Sequence, residues 1–256
     1  MFPWLCGHLQ RNKVMSITNY KHTEQIYNLK APRQIVPIIM KSIHPNNVLD
    51  VGCGVGTWLK VFEENGIIDY IGIDVVTPEK LHIPQAKFLT KDISKPFDLK
   101  RKFDLVVSLE VAEHLPEASA DAFVKSLIIH SDTILFSAAI PGQGGQHHVN
   151  EQWPEYWEEK FSKHGFFFQD CIRPLIWKNE NIDWWYKQNI FLLTKEKPSE
   201  DLKRMISLVH PELHTQIMNT TVQYTESLMQ GKQGLRVSSK IFSRAIIYKV
   251  KSLLGL

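Results

Sequence analysis

Val48-Leu49-Asp50-Val51-Gly52-Cys53-Gly54-Val55-Gly56 is the stretch that decides the fold of this 256-residue chain. A short strand pattern runs into three glycines at alternate positions, and a helical pattern over 57–65 follows. Glycines between a strand and a helix let the backbone turn tightly and approach a ligand that a Cβ atom would repel. The stretch therefore predicts a nucleoside-binding α/β domain. The loop residues expected to contact the ligand are Gly52, Cys53, Gly54 and Gly56.

Two details of the loop indicate which ligand it binds. Thr57 stands where a dinucleotide-binding loop usually has its third glycine. Asp50 lies inside an otherwise apolar strand, where a carboxylate is costly unless it meets a positive partner. S-adenosylmethionine carries an ammonium and a sulfonium, whereas the pyrophosphate of NAD would be repelled. S-adenosylmethionine is therefore the predicted cofactor, and Asp50 and Thr57 disfavour an NAD-dependent dehydrogenase.

Further acids follow at strand ends. Asp74 ends the next strand, about 20 residues beyond the loop, where a carboxylate can accept hydrogen bonds from both ribose hydroxyls. That role suits NAD equally well, so Asp74 indicates a nucleoside without choosing between cofactors. Asp92 follows the third predicted strand and could accept from an adenine amino group, with Ile93 against the ring. A solvated turn is the alternative for Asp92.

Short apolar runs and helical patterns alternate along the chain. This alternation predicts a mostly parallel sheet with helices on both faces. Strands are predicted at 48–51, 70–74, 87–90, 104–109 and 133–138, and helices at 32–43, 57–65, 118–129 and 151–164. The segments 166–172 and 189–194 are expected to close the sheet as a final pair. The predicted organisation is an N-terminal segment (1–30), the α/β domain (31–197) and a helical C-terminal extension (198–256).

The motifs from Val48 to Leu115 resemble those of class I S-adenosylmethionine-dependent methyltransferases. The matching pieces are the glycine stretch, Gly72-Ile73-Asp74, Asp92-Ile93, and Phe103-Asp104-Leu105-Val106 leading to Glu110-Val111-Ala112-Glu113-His114-Leu115. The resemblance implies a Rossmann-like doubly wound sheet of seven strands, the last antiparallel. It also implies methyl transfer, with the cofactor across the carboxyl ends of the first strands and Glu110 at its methionine end.

Two polar clusters follow the fourth and fifth predicted strands, where the acceptor should approach. One is Glu110-x-x-Glu113-His114, and the other spans 143–153 with His147 and His148. An alcohol acceptor must lose a proton, and a histidine has a suitable pKa for a general base. The candidate catalytic residues are His148, His147 and His114. Aromatic residues crowd the region after the fifth strand, which favours a sugar, a glycan or another small hydroxylated acceptor.

Two other functions remain open. Glu110, Glu113, His114 and His148 form a pattern similar to the metal site of small-RNA 2′-O-methyltransferases and ubiquinone-pathway O-methyltransferases. A metal-assisted RNA methyltransferase is therefore an alternative, although Glu-x-x-Glu-His also occurs in family members without a metal, and no metal ligand is assigned. A non-catalytic nucleoside-binding scaffold would show a damaged glycine loop or lack Asp74, and neither is seen.

Composition and charge narrow the partners and the compartment. The net charge of +3 is too small to indicate nucleic acid by itself. Three cysteines (Cys6, Cys53, Cys171) without C-x-x-C spacing indicate neither a disulfide framework nor a zinc site. No apolar run reaches the roughly 18 residues that span a bilayer, and residues 1–9 do not read as a signal peptide. We expect a cytoplasmic protein, and oligomerisation stays open.

The C-terminal part of the chain is basic. No acidic residue follows Glu226, whereas six basic residues do. On a predicted helix over 239–254, Lys240, Arg244 and Lys251 share one stripe beside a wide apolar face. Such a helix could lie in an anionic membrane surface, or it could pack on the domain or on a second subunit.

Overall fold

The computed structural model describes residues 28–198 and 207–254. They fall into two compact units, the first ending at Leu208 and the second beginning at Val209. Most of the predicted N-terminal segment, including Cys6, lies outside the described residues. The prediction that residues 1–9 are not a signal peptide concerns the same part of the chain. The predicted domain boundaries stay a prediction.

The first unit contains six helices and seven strands among its described residues. The helices are α1 (Lys30–Ile43), α2 (Thr57–Glu64), α3 (Ala120–Ile128), α4 (Pro154–Ser162), α5 (Arg173–Ile176) and α6 (Trp184–Asn189). The strands are β1 (Asn47–Val51), β2 (Asp69–Asp74), β3 (Phe88–Thr90), β4 (Leu105–Leu109), β5 (Thr133–Ser137), β6 (Phe167–Gln169) and β7 (Phe191–Thr194). Single 3-10 turns lie at Gln85–Lys87, Ala112–His114 and Glu117–Ser119.

The strands form one sheet in the order β3-β2-β1-β4-β5-β7-β6. β1 pairs in parallel with β2 and β4, and β7 pairs antiparallel with both β5 and β6. The chain therefore reverses strand order after β3, which places the carboxyl ends of β1 and β4 side by side at the crevice where ligands bind in such sheets. The predicted fold class, seven strands with the last antiparallel, is confirmed.

Both faces of the sheet are covered. Alternate residues of β1 point to opposite sides: Val48 packs with α1 and α2, whereas Leu49 packs with α3 and α4. The second face carries a cluster of edge-to-face rings around Phe136, which lies 5.3 Å from Phe161 between ring centroids. Two apolar layers thus hold the sheet rigid, and the loops at its carboxyl edge are free to carry polar residues.

Three predicted boundaries are wrong near the end of this unit. α4 starts at Pro154, not at 151, because proline suits the first helical turn and Glu151 is used in loop hydrogen bonds described below. β6 ends at Gln169. β7 begins at Phe191 and not at residue 189, because residue 189 is the last residue of α6, in which Tyr186 packs edge-on against Trp58 of α2.

The second unit consists of two helices, α7 (Pro211–Met229) and α8 (Leu235–Leu254), separated by the positive-φ glycines Gly231 and Gly234. The predicted helix over 239–254 starts one turn earlier, at Leu235. Within the two described ranges of the chain, no helix is long and apolar enough to cross a membrane.

Candidate active site

The glycine loop connects β1 to α2 in a conformation that requires glycine. Gly52, Gly54 and Gly56 all have positive φ, and a Cβ atom on Gly52 would lie 2.4 Å from the Val111 side chain. The backbone N–H groups of Gly52 and Cys53 donate to the carbonyl of Ile73 at 2.8 and 3.0 Å, which ties the loop to β2. A side chain at Gly52 would clash with Val111, so the turn requires glycine at this position.

Asp50 is a buried carboxylate near the carboxyl end of the interior strand β1. Asp50 is 2% exposed, and its Oδ2 accepts no hydrogen bond from any described residue. Burial first, and the charge of Asp74 second, raise the pKa of Asp50 well above its ordinary value. Such a group favours a cationic ligand, because a positive charge would compensate the desolvated carboxylate.

Asp74 ends β2 and holds the glycine loop. Its Oδ2 accepts the backbone N–H of Gly54 at 2.8 Å, and its Oδ1 accepts that of Val76 at 3.1 Å. Each carboxylate oxygen of Asp74 keeps lone pairs for a further donor. The predicted ribose-binding carboxylate therefore lies beside the loop, as the sequence indicated.

Asp92 and Ile93, the next two residues predicted to contact the cofactor, lie in different environments. Asp92 accepts from the N–H and Oγ of Ser94 at 3.1 and 2.5 Å and pairs with Lys95 at 3.0 Å. The Ser94 hydrogen bond is the main cause that lowers the pKa of Asp92. Ile93 is buried in the core against the second face of the sheet. Asp92 thus closes a local turn, and its role towards adenine stays a prediction.

Glu110 follows β4 with a φ of 55°, a left-handed value that costs a non-glycine residue about 1–3 kcal/mol. The surrounding hydrogen bonds hold it there. Its carboxylate accepts from Asn189 at 3.0 Å and Gln143 at 2.8 Å, and its N–H donates to Ser137 Oγ at 3.0 Å. Burial raises the pKa of Glu110 to about 6, although these hydrogen bonds act to lower it. Strain of this kind is typical of functional positions.

Glu113, His114 and His148 form a compact group. One potential ligand atom from each lies within 4.8 Å of the others. Glu113 is fully buried, and no described residue hydrogen-bonds to either of its carboxylate oxygens. Burial, and then the charge of Glu110, raise the pKa of Glu113 well above its ordinary value. The group has the composition of a divalent-metal site.

The two histidine rings of this group meet edge to face. Their centroids lie 4.9 Å apart at an interplanar angle of 83°. Burial first, and the nearby His148 second, lower the pKa of His114 to about 4. His114 is therefore neutral near pH 7, so it can act as a base or as a ligand but does not supply a positive charge.

Glu151 fixes the loop that carries His148. Its Oε1 lies 2.8 Å from His148 Nδ1, and its two oxygens accept the N–H groups of Gly142 and Gly144 at 2.8 Å each. The carbonyl of Glu113 accepts the N–H groups of residues 149 and 150, which anchors the far end of the same loop. His147, the third candidate base, is exposed and has a φ of 61°.

The structure thus brings His114 and His148 together and leaves His147 on the surface of the loop. Sequence reasoning missed the partners that hold the site. Asn189 had no recognisable signal, because 79 residues of sequence separate it from its partner Glu110. Glu151 lies in the polar cluster read from the sequence, and its spacing of three residues from His148 was the available signal.

The sheet order, the glycine loop and the buried acid define a Rossmann-like nucleoside-binding domain. Residues 23–172 match the model of a methyltransferase-domain family, and the chain belongs to this family. No curated protein shows significant sequence similarity to the chain.

Several solved structures share the fold. DesVI of Streptomyces venezuelae is similar at 15% identity and a TM-score of 0.52, over 69% of this chain and all of that one. The methyltransferase domain of bacterial CtHen1 has 19% identity and a TM-score of 0.50, over 66% and 100%. The amino pentose methyltransferase CalS10 from Micromonospora echinaspora, solved with S-adenosylmethionine, has 16% identity and a TM-score of 0.50, over 70% and 99%.

The protein is therefore a methyltransferase-family protein, and the cofactor that its sequence predicts is S-adenosylmethionine. The residues present fit this cofactor, because Asp50 offers a desolvated carboxylate to a cation at the start of the glycine loop. When bound, S-adenosylmethionine supplies an electrophilic methyl group on a sulfonium. The residues that would hold it are Asp50, Asp74 and the loop glycines, with Glu110 beside them.

Proposed function

We propose that the enzyme methylates a hydroxyl oxygen of a sugar, a glycan or another small hydroxylated molecule, with His148 taking the hydroxyl proton. The pairing of His148 Nδ1 with Glu151 Oε1 at 2.8 Å carries this proposal. The carboxylate favours the imidazole tautomer that has its proton on Nδ1, which leaves Nε2 as the proton acceptor. The cation formed when Nε2 takes the proton is stabilised by Glu151.

Position and access support His148 over the other histidines. The His148 side chain is 12% exposed, so it is held by its neighbours and still has some surface open to a ligand. His114 has a strongly lowered pKa, about 4, which makes it a weaker base at neutral pH. His147 remains a candidate because it adjoins the same loop, but among the described residues no carboxylate partner orients its ring.

The acceptor class is proposed from the surface beside the base. Trp153 follows Glu151 by two residues and is 41% exposed. An exposed indole face suits the apolar face of a sugar ring. Trp157 and Tyr186 are buried in the core, and Tyr156, Trp177, Trp184 and Trp185 are only partly exposed. Trp153 is thus the aromatic residue we assign to the acceptor.

A panel of acceptors tests the proposal. The purified full-length chain is incubated with methyl-labelled S-adenosylmethionine and, separately, with monosaccharides, nucleotide sugars, phenolic alcohols, amino sugars and RNA oligonucleotides. We expect label on a hydroxyl of a sugar or other small alcohol, located by mass spectrometry. Label found only on nitrogen, or only on RNA, would contradict the proposal.

A second candidate is metal-assisted 2′-O-methylation of RNA. The group of Glu113, His114 and His148 favours it, because a divalent ion would satisfy the two carboxylate oxygens of Glu113 that lack donors. Glu110, the fourth residue of the resembled metal pattern, is instead hydrogen-bonded to Asn189 and Gln143. An ion at this group would use His148 as a ligand, so His148 would no longer serve as the base.

Metal binding separates the two candidates. Chelator-treated protein is titrated with Mg²⁺, Mn²⁺, Co²⁺ or Zn²⁺ by calorimetry, alongside Glu113→Gln. Binding that is lost in Glu113→Gln, together with metal-dependent labelling of RNA 2′-hydroxyl groups, would establish the second candidate. Undiminished sugar methylation in chelator-treated protein would exclude it and leave His148 as the base.

A further inference from the structure

α8 has an exposed apolar face. Phe242, Ile246, Val250 and Leu253 recur at spacings of three and four residues, which aligns them on one side of a helix. They are 68%, 49%, 48% and 74% exposed, and no residue of α8 is buried. Exposed apolar surface of this continuity marks an interaction site.

The charge of the same helix has one sign. Six basic residues follow Glu226, and no acidic residue does. At 100° per residue, Arg236 lies at one border of the apolar face and Lys249 at the other, whereas Lys240, Arg244 and Lys251 form a stripe further round the helix. Long basic side chains in these positions can extend their ammonium and guanidinium groups to a polar boundary while the apolar residues face inward.

We propose that α8 binds the surface of an anionic lipid bilayer, with Phe242, Ile246, Val250 and Leu253 in the region between headgroups and acyl chains. Charge complementarity points to this occupant. A second copy of α8 on the same face would bring two exclusively basic helices together, which is repulsive. A nucleic acid would pair with the lysines and arginines but would leave the apolar face in water. The proposal is independent of the acceptor.

Vesicle co-sedimentation of the full-length chain tests this surface. We expect the protein to sediment with vesicles that contain phosphatidylglycerol and phosphatidylcholine, and to stay in the supernatant with phosphatidylcholine alone. Salt should release it, because screening weakens attraction between the lysines and the anionic lipid. Failure to sediment with the anionic vesicles at low salt would overturn the proposal.

Matched variants assign the effect to α8. Lys240→Gln/Arg244→Gln/Lys251→Gln should lower the partition coefficient by about tenfold or more. The control Lys41→Gln/Lys102→Gln/Lys125→Gln removes the same charge from exposed positions in the first unit and should partition like the wild type. Equal losses in both variants would show non-specific attraction and would overturn the assignment.

A fluorescent replacement tests insertion. Phe242→Trp should shift its emission to shorter wavelength when anionic vesicles are added, whereas Leu208→Trp, in the first unit, should not respond. Each variant is compared with wild-type protein so that the signal of the native tryptophans is subtracted. Tight RNA binding or self-association through α8, without this shift, would overturn lipid binding as the role of the helix.

Discussion

Asp74 lies close enough to Asp50 for its charge to raise the pKa of that buried carboxyl, in addition to the effect of burial. Asp50 is the penultimate residue of β1 and Asp74 the last residue of the neighbouring β2, and Asp74 also accepts the N–H of Gly54 in the glycine loop. Two carboxylates at one edge are unfavourable to each other in the absence of a cation. The repulsion between the two carboxylates lowers the stability of the ligand-free protein and raises its affinity for a positively charged ligand.

Replacing Asp50 should therefore separate stability from binding. Asp50→Asn should raise the free energy of unfolding of the cofactor-free protein at pH 7 by about 1–3 kcal/mol and weaken S-adenosylmethionine binding. The raised pKa means that the folded protein holds this proton more tightly than the unfolded chain. The stability gain should then shrink as the pH falls towards the ordinary range of an aspartate. Urea denaturation at several pH values measures it, and a less stable variant would contradict it.

Asp74 should matter more to the cofactor than to the fold of the sheet. Asp74→Ala should weaken binding of S-adenosylmethionine by about 1.5–3 kcal/mol, the worth of charge-assisted hydrogen bonds to a ribose. Asp132→Ala removes an exposed carboxylate that pairs with Lys195 at 2.7 Å and serves as the control. Calorimetry that finds equal affinity in both variants would remove Asp74 from the cofactor site.

The proposed base gives a kinetic prediction. His148→Ala should lower kcat by roughly a hundredfold or more while cofactor affinity is retained. Glu151→Gln should also lower kcat, because it removes the charge that stabilises protonated His148. His164→Ala, an exposed histidine after α4, should behave as wild type. Unchanged turnover in His148→Ala and in the double variant with His147→Ala would assign the proton transfer elsewhere.

The lowered pKa of His114 predicts a pH effect on stability. The folded protein binds a proton at His114 only near pH 4, whereas the unfolded chain binds one near pH 6.5. Stability contributed by neutral His114 is thus present at pH 7 and is lost as the pH falls from about 6.5 to 4, by up to about 3 kcal/mol. His114→Gln should flatten this part of the stability profile relative to wild type. Parallel profiles for the two proteins would contradict the prediction.

The sequence predicted the fold well where local chemistry is strong. Glycines that need positive φ, a charged residue inside an apolar strand and alternating apolar runs each have one ready structural explanation. Gly52 and Asp50 were identified on these grounds, and the structure places them together. The short helices α5 and α6 were not predicted, because Tyr186 of α6 is held by packing against Trp58, a contact that no local pattern reports.

The site was predictable only in part. His114 and His148 were named separately, and their contact depends on how the loop after β5 returns to the turn after β4. Asn189 and Gln143, which hold Glu110, come from distant segments, and an amide in an irregular stretch has no distinctive pattern. Long-range hydrogen bonds therefore account for most of what sequence reasoning could not supply.

The close approach of Gly145 to His148 has a consequence for how the base could be moved. A Cβ atom on Gly145 would lie 2.2 Å from His148 Nε2, so even an alanine would push the imidazole aside. The ring could then turn only by giving up its partner Glu151. A single methyl group at position 145 would thus displace the proposed base by direct contact, while every side chain that takes part in the chemistry is still present.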